Sequence, residues 1–159
     1  MTKLSKKSSV KALIFFVTTA LLAGVVGALL GGGFSANDTL NAPPLAPPAW
    51  LFPIVWTILY VAMGVAAYLV WKSHDIDRAP ALKLYFIQLA VNVLWTFFYF
   101  NLEWRLFSFF WILLLIALVA LTIKAFAKHS TAAAWLLIPY FIWLLFAAYL
   151  NLGYYILNR

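Results

Sequence analysis

Residues 106–123 read LFSFFWILLLIALVALTI, eighteen positions without a charge, fenced by Arg105 and Lys124. As a helix this run is about 27 Å long, close to the hydrocarbon thickness of a bilayer. Lipid offers the backbone no hydrogen-bond partner, so a run crossing it must bond internally, as a helix does. The flanking charges mark where water begins.

Outward from this run the same pattern repeats. Charged residues cut the 159-residue chain into five uncharged stretches, and helices are expected over about 12–32, 48–72, 81–102, 105–127 and 132–157. The composition agrees: 67% of residues are hydrophobic and 9% charged. A soluble domain carries about a quarter charged residues to cover its wet surface. The expected fold class is therefore an all-α membrane protein, a five-transmembrane-helix bundle forming one domain over residues 1–159. The first stretch also has the look of a secretory signal peptide, with a basic start and small residues near Ser35 and Ala36. Its apolar part is too long for one and carries spaced small residues, so a retained helix is expected.

Positive charge sets the expected orientation. Five spans put Lys3, Lys6, Lys7, Lys11, Lys72, Arg78, Lys83, Lys124 and Lys128 on one side, and only Arg105 and Arg159 on the other. That asymmetry predicts the N-terminus inside and the C-terminus outside. The net charge of +7 follows from these flanking residues. It reads as orientation signals and lipid headgroup contacts, with no nucleic-acid partner expected.

Polar and small residues inside the spans are costly in hydrocarbon and so are the informative ones. In the third span Gln88, Asn92, Trp95 and Tyr99 recur at helical spacing on one face. Tyr140, Trp143, Ala147, Asn151, Tyr154 and Asn158 form a stripe in the fifth, and Trp56, Tyr60, Met63 and Ala67 one in the second. Three aromatic-polar faces suggest a shared interior lining; interhelical hydrogen bonding and packing is the plainer reading. Trp71, Trp104 and Trp135 suit interface anchors. Ala20, Gly24, Gly27 and Gly31 are spaced for close helix approach, within the chain or at a dimer seam.

Proline punctuates two places. Residues 41–50, NAPPLAPPAW, predict a stiff loop, with Pro47 and Pro48 as natural helix starters and Pro53 one turn further in. Pro139 is expected to kink the fifth helix.

Absences exclude several function classes. All four acids, Asp38, Asp75, Asp77 and Glu103, lie in loops or at span ends, which argues against a proton-coupled exporter. His74 and His129 lie in loops and there is no cysteine, so neither a metal site nor haem ligation is expected. No cofactor is expected.

Three motifs carry a resemblance. The second span has Pro47-Pro48-Ala49-Trp50-Leu51-Phe52-Pro53-Ile54-Val55-Trp56, then Leu59-Tyr60 and Met63-Gly64. The third has Gln88-Leu89-x-x-Asn92-x-x-Trp95, and the fifth Pro139-Tyr140-x-x-Trp143-x-x-Phe146-Ala147 with Leu150-Asn151 and Leu157-Asn158. Together they resemble the TspO/MBR family of tryptophan-rich sensory proteins and mitochondrial translocator proteins, the peripheral benzodiazepine receptors.

The resemblance implies a five-helix bundle, often a homodimer, whose ligand pocket is closed by the first loop. Implied ligands are hydrophobic small molecules: porphyrins such as protoporphyrin IX, cholesterol in animals, and synthetic drugs. By position, Trp56 and Trp143 resemble the family's paired pocket tryptophans, and Asn92, Trp95, Ala147 and Leu150 match positions near the ligand. With the stripe residues Tyr60 and Tyr99 and the motif residue Trp50, these make the expected ligand-binding set. Two positions depart from the family: Ala42 stands where Lys is frequent, and Leu45 where an aromatic is. Propionate groups would then meet little positive charge on the outer side, Arg105 being the nearby loop cation. A loose sterol pattern, Leu150, Tyr154 and Arg159, closes the chain.

The expected function is a membrane receptor, sensor or carrier for tetrapyrroles. The alternative is light- and oxygen-dependent porphyrin breakdown, in which Trp56 and Trp143 would be the catalytic residues. The expected location is the bacterial inner membrane, in contact with lipid.

Overall fold

The computed structural model describes residues 6–32, 40–73 and 75–159, the side chain of Lys6 excepted. Lys3, Ser35, Ala36, Asp38 and His74 lie outside the described residues. All regular structure described is helical: α1 Lys6–Leu30, α2 Leu51–Lys72, α3 Arg78–Thr96, α4 Arg105–Ala127 and α5 Thr131–Leu157. A π-helical turn, Phe97–Asn101, extends α3. All five helices are long and apolar enough to cross a membrane.

The helices outrun the uncharged stretches where lysine or arginine opens them. α1 takes in Lys7 and Lys11, and α3 begins at Arg78. Long basic side chains permit this, because their stems lie along the apolar surface while their heads reach water. α2 starts later than expected, at Leu51. Pro47 and Pro48 stay in the loop, and turn bonds from Leu51 N to Pro48 O (3.0 Å) and Phe52 N to Ala49 O (3.3 Å) lead in. Pro53 therefore sits in the first turn, where its missing N–H breaks no bond. α5 starts where Ser130 caps it, accepting from the Ala133 amide at 3.2 Å. Pro139 lies inside α5, removing the amide that would bond the Trp135 carbonyl.

Helix neighbours form a closed ring: α1 packs on α2, α2 on α5, α5 on α4, α4 on α3 and α3 on α1. α2 and α3 also touch across it. Small residues allow the tight crossings. A Cβ on Gly64 would lie 2.5 Å from the Val17 backbone, so α1 and α2 approach as only glycine permits. Gly24 lies under the Tyr60 ring, while Gly27 and Gly31 face Thr96. The small-residue stripe of α1 is thus an internal seam.

Four serine and threonine hydroxyls inside the spans are satisfied within their own helix. Thr57, Thr96, Ser108 and Thr122 each donate to the carbonyl four residues back, at 2.7–3.3 Å. Interhelical bonding falls to amides, phenols and indoles, as where Trp111 Nε1 of α4 donates to Val91 O of α3 (2.9 Å).

The two ends of the bundle differ. At one, Ser9 of α1 bonds Tyr68 of α2, and His129 Nδ1 meets Asp75 Oδ2 at 2.8 Å across two loops. That bond, helped by Ser73 and Arg78, holds the Asp75 carboxyl below its ordinary range against a smaller desolvation effect. Arg78 bonds the Trp71 carbonyl (2.6 Å) and lies over its ring. At the other end the proline loop is strapped to α5. Asn41 N donates to Asn158 Oδ1 (2.8 Å), Asn158 Nδ2 returns a bond to Asn41 O (3.0 Å), and Tyr149 O–H donates to Pro44 O (2.7 Å). Pro43 is buried and lies against Gly153, where a Cβ would come within 2.6 Å of it.

Candidate functional site

The polar faces of α2, α3 and α5 converge. Tyr60 O–H donates to Asn92 Oδ1 (2.6 Å), Asn92 Nδ2 to Tyr140 Oη (2.9 Å), and Tyr140 O–H to Gln88 Oε1 (3.0 Å). Gln88 Nε2 ends the chain at Met63 Sδ, 4.0 Å away. All five residues are buried. Each group donates in one sense along the chain, so every bond polarises the next. In hydrocarbon this satisfies two amides and two phenols that would otherwise each be costly.

Aromatic rings sit directly on this chain. Trp56 lies 5.6 Å from Tyr60, 6.2 Å from Tyr140 and 6.3 Å from Trp95, centroid to centroid. Trp95 stacks on Tyr99 at 5.5 Å. With its amide oriented to satisfy both atoms, Asn151 accepts from Trp95 Nε1 (3.3 Å) and donates to the Arg105 carbonyl (2.8 Å). One turn before Trp56 on the same α2 face, Phe52 touches Trp143 at 5.9 Å. Trp143 is half-buried, yet its Nε1–H is fully enclosed and has no acceptor among the described residues.

Of the expected ligand-binding set, Trp56, Tyr60, Asn92, Trp95, Ala147 and Leu150 are buried in the bundle. Tyr99 and Trp143 are half-buried at its edge. Trp50 is not brought in: it precedes the first residue of α2 and is 64% exposed. Gln88, Tyr140 and Asn151 stand outside that set, although they share its helical stripes and supply its hydrogen bonds. A polar residue within a span was the signal for each. Trp104 and Trp135 are exposed near helix starts, in keeping with interface anchors.

The TspO/MBR family pattern matches residues 15–157. The chain is 37% identical to the tryptophan-rich protein TspO of Chlorobaculum tepidum, over 82% of this chain and 90% of that one. It is 33% identical to a protein of the same name from Archaeoglobus fulgidus, over 91% and 98%. The translocator protein of Ovis aries is 39% identical over 76% and 73%. The match takes in the three helices whose faces converge, α2, α3 and α5, and on that ground the chain belongs to the TspO/MBR family, as an integral multi-pass membrane protein.

Proposed function

We propose that this protein is a membrane receptor or carrier for hydrophobic ligands, chiefly tetrapyrroles such as protoporphyrin IX, taken up against the aromatic faces of α2, α3 and α5. Several relatives are named as translocator or sensory proteins. The observation that carries the reading is two aromatic groups one turn apart on α2, Phe52 with Trp143 and Trp56 with Trp95 and Tyr99, beside a buried indole N–H that has no acceptor among the described residues. A flat, conjugated ligand gains from apolar burial and ring stacking, and its heteroatoms offer that N–H an acceptor. The strapped proline loop beside α5 supports a closing role. Basic residues concentrate at the Asp75–His129 end, which supports placing that end, with the N-terminus, in the cytoplasm of a bacterial cell.

Titration of the purified protein with protoporphyrin IX in the dark tests the reading through tryptophan fluorescence. Saturable quenching is expected, with affinity weakened about tenfold in Trp56→Phe or Trp143→Phe, or about 1.4 kcal/mol. Quenching that never saturates, or is absent, overturns it. A second reading, light- and oxygen-dependent breakdown of the bound porphyrin, is favoured by the contact of Trp56 with two phenols and a second indole. Bleaching of porphyrin absorbance on illumination, lost in the same variants, would select it.

A further inference from the structure

Away from the aromatic interior, a cleft of about 390 Å³ opens between the α3–α4 turn and the end of α5. That volume lies within the range of small-molecule sites, about 300–1,000 Å³. Its lining includes the ionisable residues Glu103, Arg105 and Arg159, with Asn158, Tyr155 and Trp104 beside them. Two guanidiniums, those of Arg105 and Arg159, stand against one side-chain carboxylate, that of Glu103. Arg105 bonds Glu103 at 3.1 Å, but the Glu103 side chain is half exposed, so the bridge is weak enough to share its cation. Arg159 is exposed, and the positive end of the 23-residue α4 adds to the potential.

The surroundings say what kind of anion fits. Trp104 is 54% exposed and stacks parallel on Phe98, and Phe107 is 44% exposed at the same rim. Phe98, Phe107 and Trp111 pack edge-on or tilted beside it, continuing the aromatic surface along α4. An aromatic rim leading from an arginine-lined cleft onto the apolar flank of a span matches an amphiphile lying at headgroup depth.

We infer that this cleft binds the headgroup of an anionic phospholipid. The phosphate lies between Arg105 and Arg159, headgroup hydroxyls meet Glu103 and Asn158, and the glycerol ester region rests on Trp104 and Phe107. The site is separate from the interior ligand reading and does not depend on it.

Native mass spectrometry of the protein, released from mixed micelles holding equal phosphatidylglycerol and phosphatidylcholine, tests this directly. The wild type should retain phosphatidylglycerol preferentially. Each of Arg105→Gln and Arg159→Gln should cut that preference about fivefold, the attraction typical of one cation at an anionic surface. Lys124→Gln, at the opposite end of α4, should leave it unchanged. Arg159→Gln breaks no bond among the described residues, so its result stands even where Arg105→Gln unfolds. No preference in the wild type, or a preference that survives Arg159→Gln, overturns the assignment. So does weakened protoporphyrin binding in Arg159→Gln with lipid preference intact, which would give the arginines to the interior ligand.

Discussion

Asn92 is the residue on which the interior turns. Its carboxamide accepts from one phenol and donates to another, linking three helices through a single side chain. Replacing it with leucine fills similar space but strands the Tyr60 hydroxyl, while Tyr140 keeps its bond to Gln88. The cost comes from the orphaned donor, and a buried unpaired group costs about 1–3 kcal/mol. Membrane interiors soften such penalties, since the unfolded chain also finds partners, so Asn92→Leu is expected to lose about 1–2 kcal/mol. Tyr60→Phe removes the stranded hydroxyl. The double variant Tyr60→Phe, Asn92→Leu should therefore be more stable than Asn92→Leu alone in denaturant titrations of the solubilised protein. Equal or lower stability would show that Tyr60 finds another partner. Trp143 presents the opposite case: its indole N–H, like the Tyr85 hydroxyl, is buried with no hydrogen-bond partner among the described residues. A buried polar group of this kind calls for a partner from outside the chain, a water or a ligand.

At the scale of elements, the sequence was most legible where physics is local. Hydrocarbon thickness and charge spacing predict five spanning helices, and the described residues hold five. The stripes on α2, α3 and α5 follow from helical periodicity alone, and Gln88, Asn92, Tyr140 and Asn151 all turn inward as that periodicity requires. What could not be read depends on packing between elements. The π-turn at Phe97–Asn101 has no sequence marker; it accompanies ring stacking of Trp95 on Tyr99 and of Phe98 on Trp104, which depends on how the chain packs. The α1 glycines allowed two seams, and the positions of Tyr60 on α2 and Thr96 on α3 chose between them. The loop strap was equally hidden, since Asn41 and Asn158 are 117 residues apart. That strap is expected to set how readily the proline loop lifts. Asn158→Ala removes both bonds to Asn41, so exchange of the Asn41 amide should quicken about tenfold, corresponding to one or two net hydrogen bonds. Exchange in the α3 core should be unchanged. Equal protection of Asn41 in the variant would mean that Tyr149 and Pro43 hold the loop unaided.

For the whole molecule, charge and architecture point the same way. Ser9 meets Tyr68 and Asp75 meets His129, so the amino-terminal turn of α1, the α2–α3 loop and the α4–α5 loop gather at one end. Lys7, Lys11, Lys72, Arg78, Lys83, Lys124 and Lys128 lie in or beside those segments, whereas Arg105 and Arg159 lie at the far end with the proline loop. A bilayer sorts such a molecule because carrying several lysines across it costs far more than carrying two arginines. The chain has no cysteine, so one introduced thiol reports its own side without background. Lys128→Cys and Ala42→Cys mark opposite ends, and both positions are exposed. In intact bacterial cells expressing the protein, a membrane-impermeant maleimide should label Ala42→Cys at once and Lys128→Cys only after permeabilisation. The reversed order would turn the bundle over, putting the proline loop and the arginine cleft in the cytoplasm. Labelling of both positions before permeabilisation would mean that the insertion follows no single orientation, and the clustering of lysine at one end would then need another cause.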